Sequence, residues 1–207
     1  MAKVVCVDVS AMDKALYGQL YDRADPERCQ RADRYSRWED AVRCITAGAL
    51  LRRVVQKELG LSSFSVEKDA DGKPYIREAE AFCYNLSHSG NWVVLAWSDT
   101  PVGVDVEKIR DDGKQEKVAR RFFAPDEQRW IQSDRMTERF FQVWTGKESY
   151  LKYLGTGLRQ PLDSFSILEE NIRQKLRHWV LEGNYSLTVC TEDAQTAWAQ
   201  LKMEELL

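Results

Sequence analysis

Two stretches of helical periodicity, each closed by a glycine and each followed by short β-rich runs, constrain the fold of this chain more than any other feature. Trp38–Leu59 carries Trp38, Val42, Ile45 and Ala49 at helical spacing ahead of Gly60, and residues 138–154 run up to Gly155. A glycine just past a helix accepts the left-handed backbone that ends it. Residues 3–9 read as a first strand. Residues 64–67, 82–86, 93–97 and 102–106 are short, β-branched or aromatic, and separated by Asp71-Gly72, Ser89-Gly90-Asn91 and Ser98-Asp99, which predicts an antiparallel meander. Shorter helices are expected around 118–123 and after Pro125, where Asp126 and Glu127 favour a helix start. Residues 164–168, Leu176–Leu181, Tyr185–Thr191 and 197–202 read as closing strands.

This order of elements predicts an α+β fold. Ser63-Phe64-Ser65-Val66 follows the first long helix and Ser164-Phe165-Ser166-Ile167 follows the second, an echo that a duplication would explain. Two α+β lobes with a ligand cleft between them would result. The 207 residues suffice for one large domain or two small ones. Thirty basic against thirty-three acidic residues, a net charge of -3, argue against a nucleic-acid partner, which needs many cations on one face. No apolar run approaches the roughly 18 residues of a membrane span, and the N-terminal segment lacks the core of a secretion signal. A cytoplasmic protein is expected. Cys6, Cys29, Cys44, Cys83 and Cys190 are scattered, without Cys-x-x-Cys spacing, and read as reduced structural residues rather than zinc ligands or a disulfide scaffold.

Three segments carry the chemistry. Asp105 and Glu107 stand two apart on a predicted strand, so both project from one face. At an effective dielectric of about 20, unit charges about 5 Å apart repel by ~3 kcal/mol, so this pair is either exposed or holds a cation. On the second long helix, Glu148 and Lys152 fall one turn apart beside an apolar stripe of Phe140, Trp144, Leu151 and Leu154. They form either a surface ion pair or a third oxygen ligand with a phosphate clamp. An all-oxygen set would select a hard ion such as magnesium. Tyr84-Asn85-Leu86-Ser87-His88-Ser89-Gly90 ends a strand in donors that suit a phosphate at a tight turn, or forms an ordinary turn.

Taken in order, Gly72-Lys73-Pro74, Tyr84-Asn85-Leu86-Ser87-His88-Ser89, Gly103-Val104-Asp105-Val106-Glu107 and the run from Trp144 to Lys152 resemble the signature series of surfactin-type 4'-phosphopantetheinyl transferases. Glu39-Asp40-Ala41-Val42-Arg43, Arg121-Phe122-Phe123 with Glu127, Pro161-Leu162-Asp163-Ser164-Phe165-Ser166 and Glu204-Glu205-Leu206-Leu207 extend the resemblance over essentially the whole chain. It implies a monomer of two similar α+β lobes in a pseudo-twofold duplication, here residues 1–103 and 104–207, with coenzyme A in the inter-lobe cleft. The implied reaction moves the phosphopantetheine arm of coenzyme A onto a serine of an acyl or peptidyl carrier protein and releases adenosine 3',5'-bisphosphate.

By the same resemblance Asp105, Glu107 and Glu148 bind magnesium, Lys152 holds a pyrophosphate oxygen, and Glu148, directly or through a metal-bound water, is the expected base for the serine. Arg43, Lys73, Pro74, Ser87 and His88 are expected around the nucleotide, with Arg28 and Arg31 where relatives often carry lysines. Gly146, just before Lys147-Glu148, is a local departure that costs roughly 1 kcal/mol of helix propensity and calls for compensating packing. Residues 108–121 hold six basic and three acidic groups and are expected to meet an acidic carrier surface. Rival functions with the same residues are a magnesium-dependent phosphodiesterase using water and a coenzyme A-binding module without catalysis.

Overall fold

The computed structural model describes the backbone of residues 1–207 and every side chain but that of Leu158. In chain order the elements are β1 (Ala2–Asp8), α1 (Lys14–Tyr21), α2 (Pro26–Asp33), α3 (Trp38–Leu59), β2 (Val66–Lys68), β3 (Pro74–Ile76), β4 (Cys83–Ser89), β5 (Trp92–Ser98), β6 (Val102–Lys108), α4 (Gln115–Phe122), α5 (Pro125–Ile131), α6 (Met136–Leu154), α7 (Glu170–Arg173), β7 (Leu176–Leu181), β8 (Tyr185–Thr191) and β9 (Thr196–Leu201). The class is α+β. The two long helices end where the sequence predicts, on Gly60 and Gly155 in the left-handed conformation (φ 70° and 76°).

The expected meander divides. β4 and β5 form a hairpin, but β5 next pairs with β1, giving a four-stranded sheet ordered β4-β5-β1-β9. β6 leaves for a second, antiparallel sheet ordered β6-β8-β7. β9 returns to the first sheet and lies parallel to β1. Side-chain alternation along β1 explains the layering: Val5 and Val7 face the core under α3, whereas Val4 and Cys6 face Val104, Leu187 and Val189 of the second sheet. A third core of Phe123, Phe140, Val143, Leu151 and Phe165 packs α6 against its neighbours.

Residues 164–168 are not a strand. Lys147 and Glu127, both with 0% side-chain exposure, form an ion pair at 2.7 Å beneath this segment. The Lys147 ammonium donates to the carbonyls of Leu162 and Phe165, and Glu127 accepts from the Ile167 amide, so the pair consumes the backbone groups a ladder would need. The predicted strand at 64–67 shifts to β2 and pairs with β3 in a separate two-stranded sheet. α1 and α2, which no sequence pattern above assigns, start on the caps Asp13 and Asp25, each of which accepts from a first-turn amide. All five cysteines are free. No helix of the described residues is long and apolar enough to cross a membrane.

Candidate active site

The site is built where β4 runs beside β6. Three alternate side chains of β4 meet the backbone of β6: Asn85 Oδ1 accepts from the Val104 amide at 2.9 Å, Ser87 Oγ from Val106 at 3.3 Å and Ser89 Oγ from Lys108 at 3.2 Å. Side chains thus complete a strand edge that a backbone ladder would otherwise fill. Two of the same hydroxyls donate to the carboxylates of β6, Ser87 to Asp105 Oδ1 at 2.9 Å and Ser89 to Glu107 Oε2 at 2.7 Å. The acids therefore share one face, as their spacing requires, and each is oriented from the first sheet.

Lys152 closes the arrangement from α6, donating to Asp105 Oδ1 at 2.6 Å, to the Val104 carbonyl at 3.0 Å and to Ser87 Oγ at 3.2 Å. The helix reaches β6 because position 103 is glycine: a Cβ there would collide with the backbone of Ser149 and Tyr153. Gly146 plays the same part on another side of α6, where a Cβ would stand 2.8 Å from Ile167 Cδ1, so close packing supplies the expected compensation. Glu148 sits half-buried one turn before Lys152. Its pKa is raised by burial and by the neighbouring negative charges of Asp105 and Glu107, against the opposing pull of Lys152. Burial and Asp105 likewise raise the pKa of Glu107, while the Ser89 hydroxyl lowers it.

A cleft of about 1410 Å³ opens from this seam. Ser87, His88, Asp105, Glu107 and Lys152 line it, together with Pro74, Arg28 and Arg31. Its size exceeds the roughly 300–1,000 Å³ of ordinary small-molecule sites and suits an extended, charged ligand. Arg28 lies over Gly48, donates to the Cys44 carbonyl at 3.1 Å and keeps a buried Nε without a hydrogen bond, 3.5 Å from Asp25. Arg31 is half-exposed and pairs with Glu27. Arg43 does not line the cleft; it pairs with Asp40 and donates to the Gly90 carbonyl at 2.7 Å, bracing the turn beyond His88. His88 is exposed in the cleft, and partial desolvation there with the charge of Arg43 lowers its pKa. Lys73 also lies outside the lining and turns toward the end of α6.

The donor set tests the expectation of a hard cation. Asp105 Oδ2 is buried without a hydrogen-bond partner, and all three acids offer oxygen only, a chemistry that fits magnesium. Among the described residues no three carboxylate, imidazole or thiol groups are already gathered at metal-holding spacing. The Lys152 ammonium instead supplies the positive charge that Asp105 needs.

Asn85 and Ser89, which the sequence presents only as part of a donor-rich strand end, orient the site; their place two residues either side of Ser87 is the signal for that role. Arg23 and Arg52 also line the cleft, and burial lowers the pKa of Arg52, with Asp25 opposing and Arg23 and Arg28 adding to the effect.

Residues 101–201 match the family model of the 4'-phosphopantetheinyl transferase superfamily, and residues 14–100 match that of the 4'-phosphopantetheinyl transferase N-terminal region. A 4'-phosphopantetheinyl transferase of Bacillus subtilis is 36% identical over 75% of this chain and 73% of its own length. The transferase psf-1 of Bacillus pumilus is 32% identical over 94% of this chain and 92% of its own. The transferase HetI of Nostoc is 34% identical over 68% and 64%.

Proposed function

The chain belongs to the surfactin-type 4'-phosphopantetheinyl transferases, and from that premise we propose that its cleft transfers the phosphopantetheine arm of coenzyme A to a carrier-protein serine in a magnesium-dependent reaction. One observation carries the reading: a single cleft is lined both by guanidinium groups, among them Arg28 and Arg31, and by the Ser87–Asp105–Lys152 constellation. The nucleotide with its 3'-phosphate lies along Arg28 and Arg31, with Pro74, Ser87 and His88 beside it and Arg43 behind the turn. The pyrophosphate lies at Lys152.

Asp105, Glu107 and Glu148 would hold magnesium, which when bound would offset the negative charge that grows on the departing phosphate. Lys152 binds a pyrophosphate oxygen and adds to that stabilisation. Glu148 takes the proton from the serine hydroxyl. The serine oxygen forms a bond to the phosphorus of the arm as the bond from that phosphorus to the bridging oxygen breaks, and adenosine 3',5'-bisphosphate leaves with the bridging oxygen. The exposed basic residues Lys108, Arg110, Lys114, Lys117, Arg120 and Arg121 follow directly on Glu107 and face an acidic carrier. We also read residues 1–103 and 104–207 as related lobes, since each lays a glycine-ended helix against a sheet.

Intact-mass measurement of an apo carrier protein incubated with coenzyme A, magnesium and this protein tests the reading. The carrier should gain one arm in step with release of adenosine 3',5'-bisphosphate. Cleavage of coenzyme A without a carrier would favour a phosphodiesterase, and binding without cleavage a scaffold.

A further inference from the structure

We propose that Lys73 acts as a positioning residue that ties the two halves of the molecule together behind the cleft, its ammonium capping the C-terminus of α6, and is not a ligand of the nucleotide. This rests on reading the cleft as the coenzyme A site. The side chain is aimed by its own turn: Asp69 Oδ1 accepts from the amides of Asp71 and Lys73 at 2.9 and 2.8 Å, and the Asp69 amide donates to the Lys73 carbonyl at 3.0 Å. From that fixed backbone the ammonium donates to the Tyr153 carbonyl at 3.1 Å and reaches the Val102 carbonyl at 3.5 Å. Tyr153 lies in the last turn of α6, where carbonyls lack helical partners and the helix dipole favours a cation. Val102 is the first residue of β6. One lysine thus joins the β2–β3 hairpin to both elements that carry the catalytic groups.

Two further contacts fit this role. Asp71, two residues earlier, pairs with Arg159 just beyond α6, so the hairpin grips the second half at two points. The Lys73 stem passes where a Cβ on Gly155 would stand 3.3 Å away, so the glycine that ends α6 also leaves room for the cap. The residue next to Tyr153 is Lys152, whose ammonium contacts Asp105 at 2.6 Å. Freeing the last turn of α6 would therefore loosen the contact at the centre of the site. Lys73 is partly desolvated, which lowers its pKa and suits a fixed internal cap.

The test uses the full chain with Lys73→Met. Amide hydrogen exchange in the last turn of α6, residues 151–155, should quicken by about tenfold while the end of α3 stays as protected as before. Turnover at saturating coenzyme A should fall by about tenfold, with the dissociation constant for adenosine 3',5'-bisphosphate held within about twofold. Lys73→Arg, which keeps charge and donors, should restore both exchange protection and turnover. Unchanged exchange in α6 would overturn the proposal, as would a bisphosphate affinity weakened about tenfold with turnover intact, the behaviour of a direct ligand. If Lys73→Met fails to fold, Lys73→Gln is read by the same criteria. Should the unaltered protein bind no bisphosphate and transfer no arm, the functional reading fails, and the exchange result alone decides the role of Lys73.

Discussion

Replacing Lys147 with methionine removes one partner of an ion pair whose two side chains are wholly shielded from solvent. The stem of methionine preserves most of the packing, so the loss is chiefly electrostatic and includes the ammonium that stands 4.3 Å from the centre of the Phe165 ring. Three acceptors lose the ammonium: Glu127 Oε2 at 2.7 Å, which keeps the Ala124 amide, and the carbonyls of Leu162 at 2.7 Å and Phe165 at 2.6 Å. Breaking such a pair from one side costs about 3–5 kcal/mol. Glu127 limits that cost by taking up a proton. At about 1.36 kcal/mol per pH unit and an ordinary glutamate value near 4.3, holding it neutral at pH 7 costs ~4 kcal/mol, consistent with that range.

Burial already raises the pKa of Glu127 and lowers that of Lys147, each opposed by the charge of the other. Without the lysine the folded pKa of Glu127 rises further above its unfolded value. Stability of the variant is then greatest below the unfolded value and is lost as pH climbs toward the folded one, so the penalty should grow between about pH 5 and pH 8. Urea denaturation followed by tryptophan fluorescence at several pH values measures this. The double variant Lys147→Met/Glu127→Gln should recover part of the loss, because no unpaired charge remains. A penalty below about 1 kcal/mol at pH 7, or one that does not vary with pH, would refute the reasoning.

Glu148 should titrate above the ordinary carboxylate range in the metal-free protein, because burial and the charges of Asp105 and Glu107 disfavour its ionised form. Carboxyl-carbon NMR would show this, and Asp105→Asn should move the midpoint toward acid; a midpoint unmoved by that change would remove the coupling. Since a base must be ionised, the rate of transfer should rise with pH through the value that Glu148 takes in the loaded site, and Glu148→Gln should abolish the limb. Gly103→Ala should push α6 from β6 and separate Lys152 from Asp105, costing about 100-fold in transfer rate. Wild-type rate and stability in that variant would contradict the close approach.

The long helices and their stops were legible because periodicity over nineteen or more residues and a terminal glycine each report the backbone directly. Asp105 and Glu107 were legible as a pair because alternation on a strand fixes which side chains share a face. Residues 164–168 have a strand's composition, but the Phe165 carbonyl and the Ile167 amide serve Lys147 and Glu127, a demand that arises only when distant segments meet. α1 and α2 span eight residues each, too short for periodicity to separate them from loops, although Asp25-Pro26 does mark the start of one. The departure of β6 from the meander was hidden for the same reason as the role of Asn85 and Ser89: both depend on a side-chain ladder between strands that do not follow one another in the chain. For Lys73 the family resemblance implies a nucleotide contact, and only the fold reveals that its side chain turns toward the end of α6.

The most direct test of the account replaces magnesium with paramagnetic manganese and counts bound ions by electron spin resonance in the presence of coenzyme A. The unaltered protein should bind one manganese per chain, with Asp105→Asn, Glu107→Gln and Glu148→Gln each weakening that site while leaving the folded state intact. Undiminished binding in any one of the three variants would contradict the claim that these acids act on a single ion.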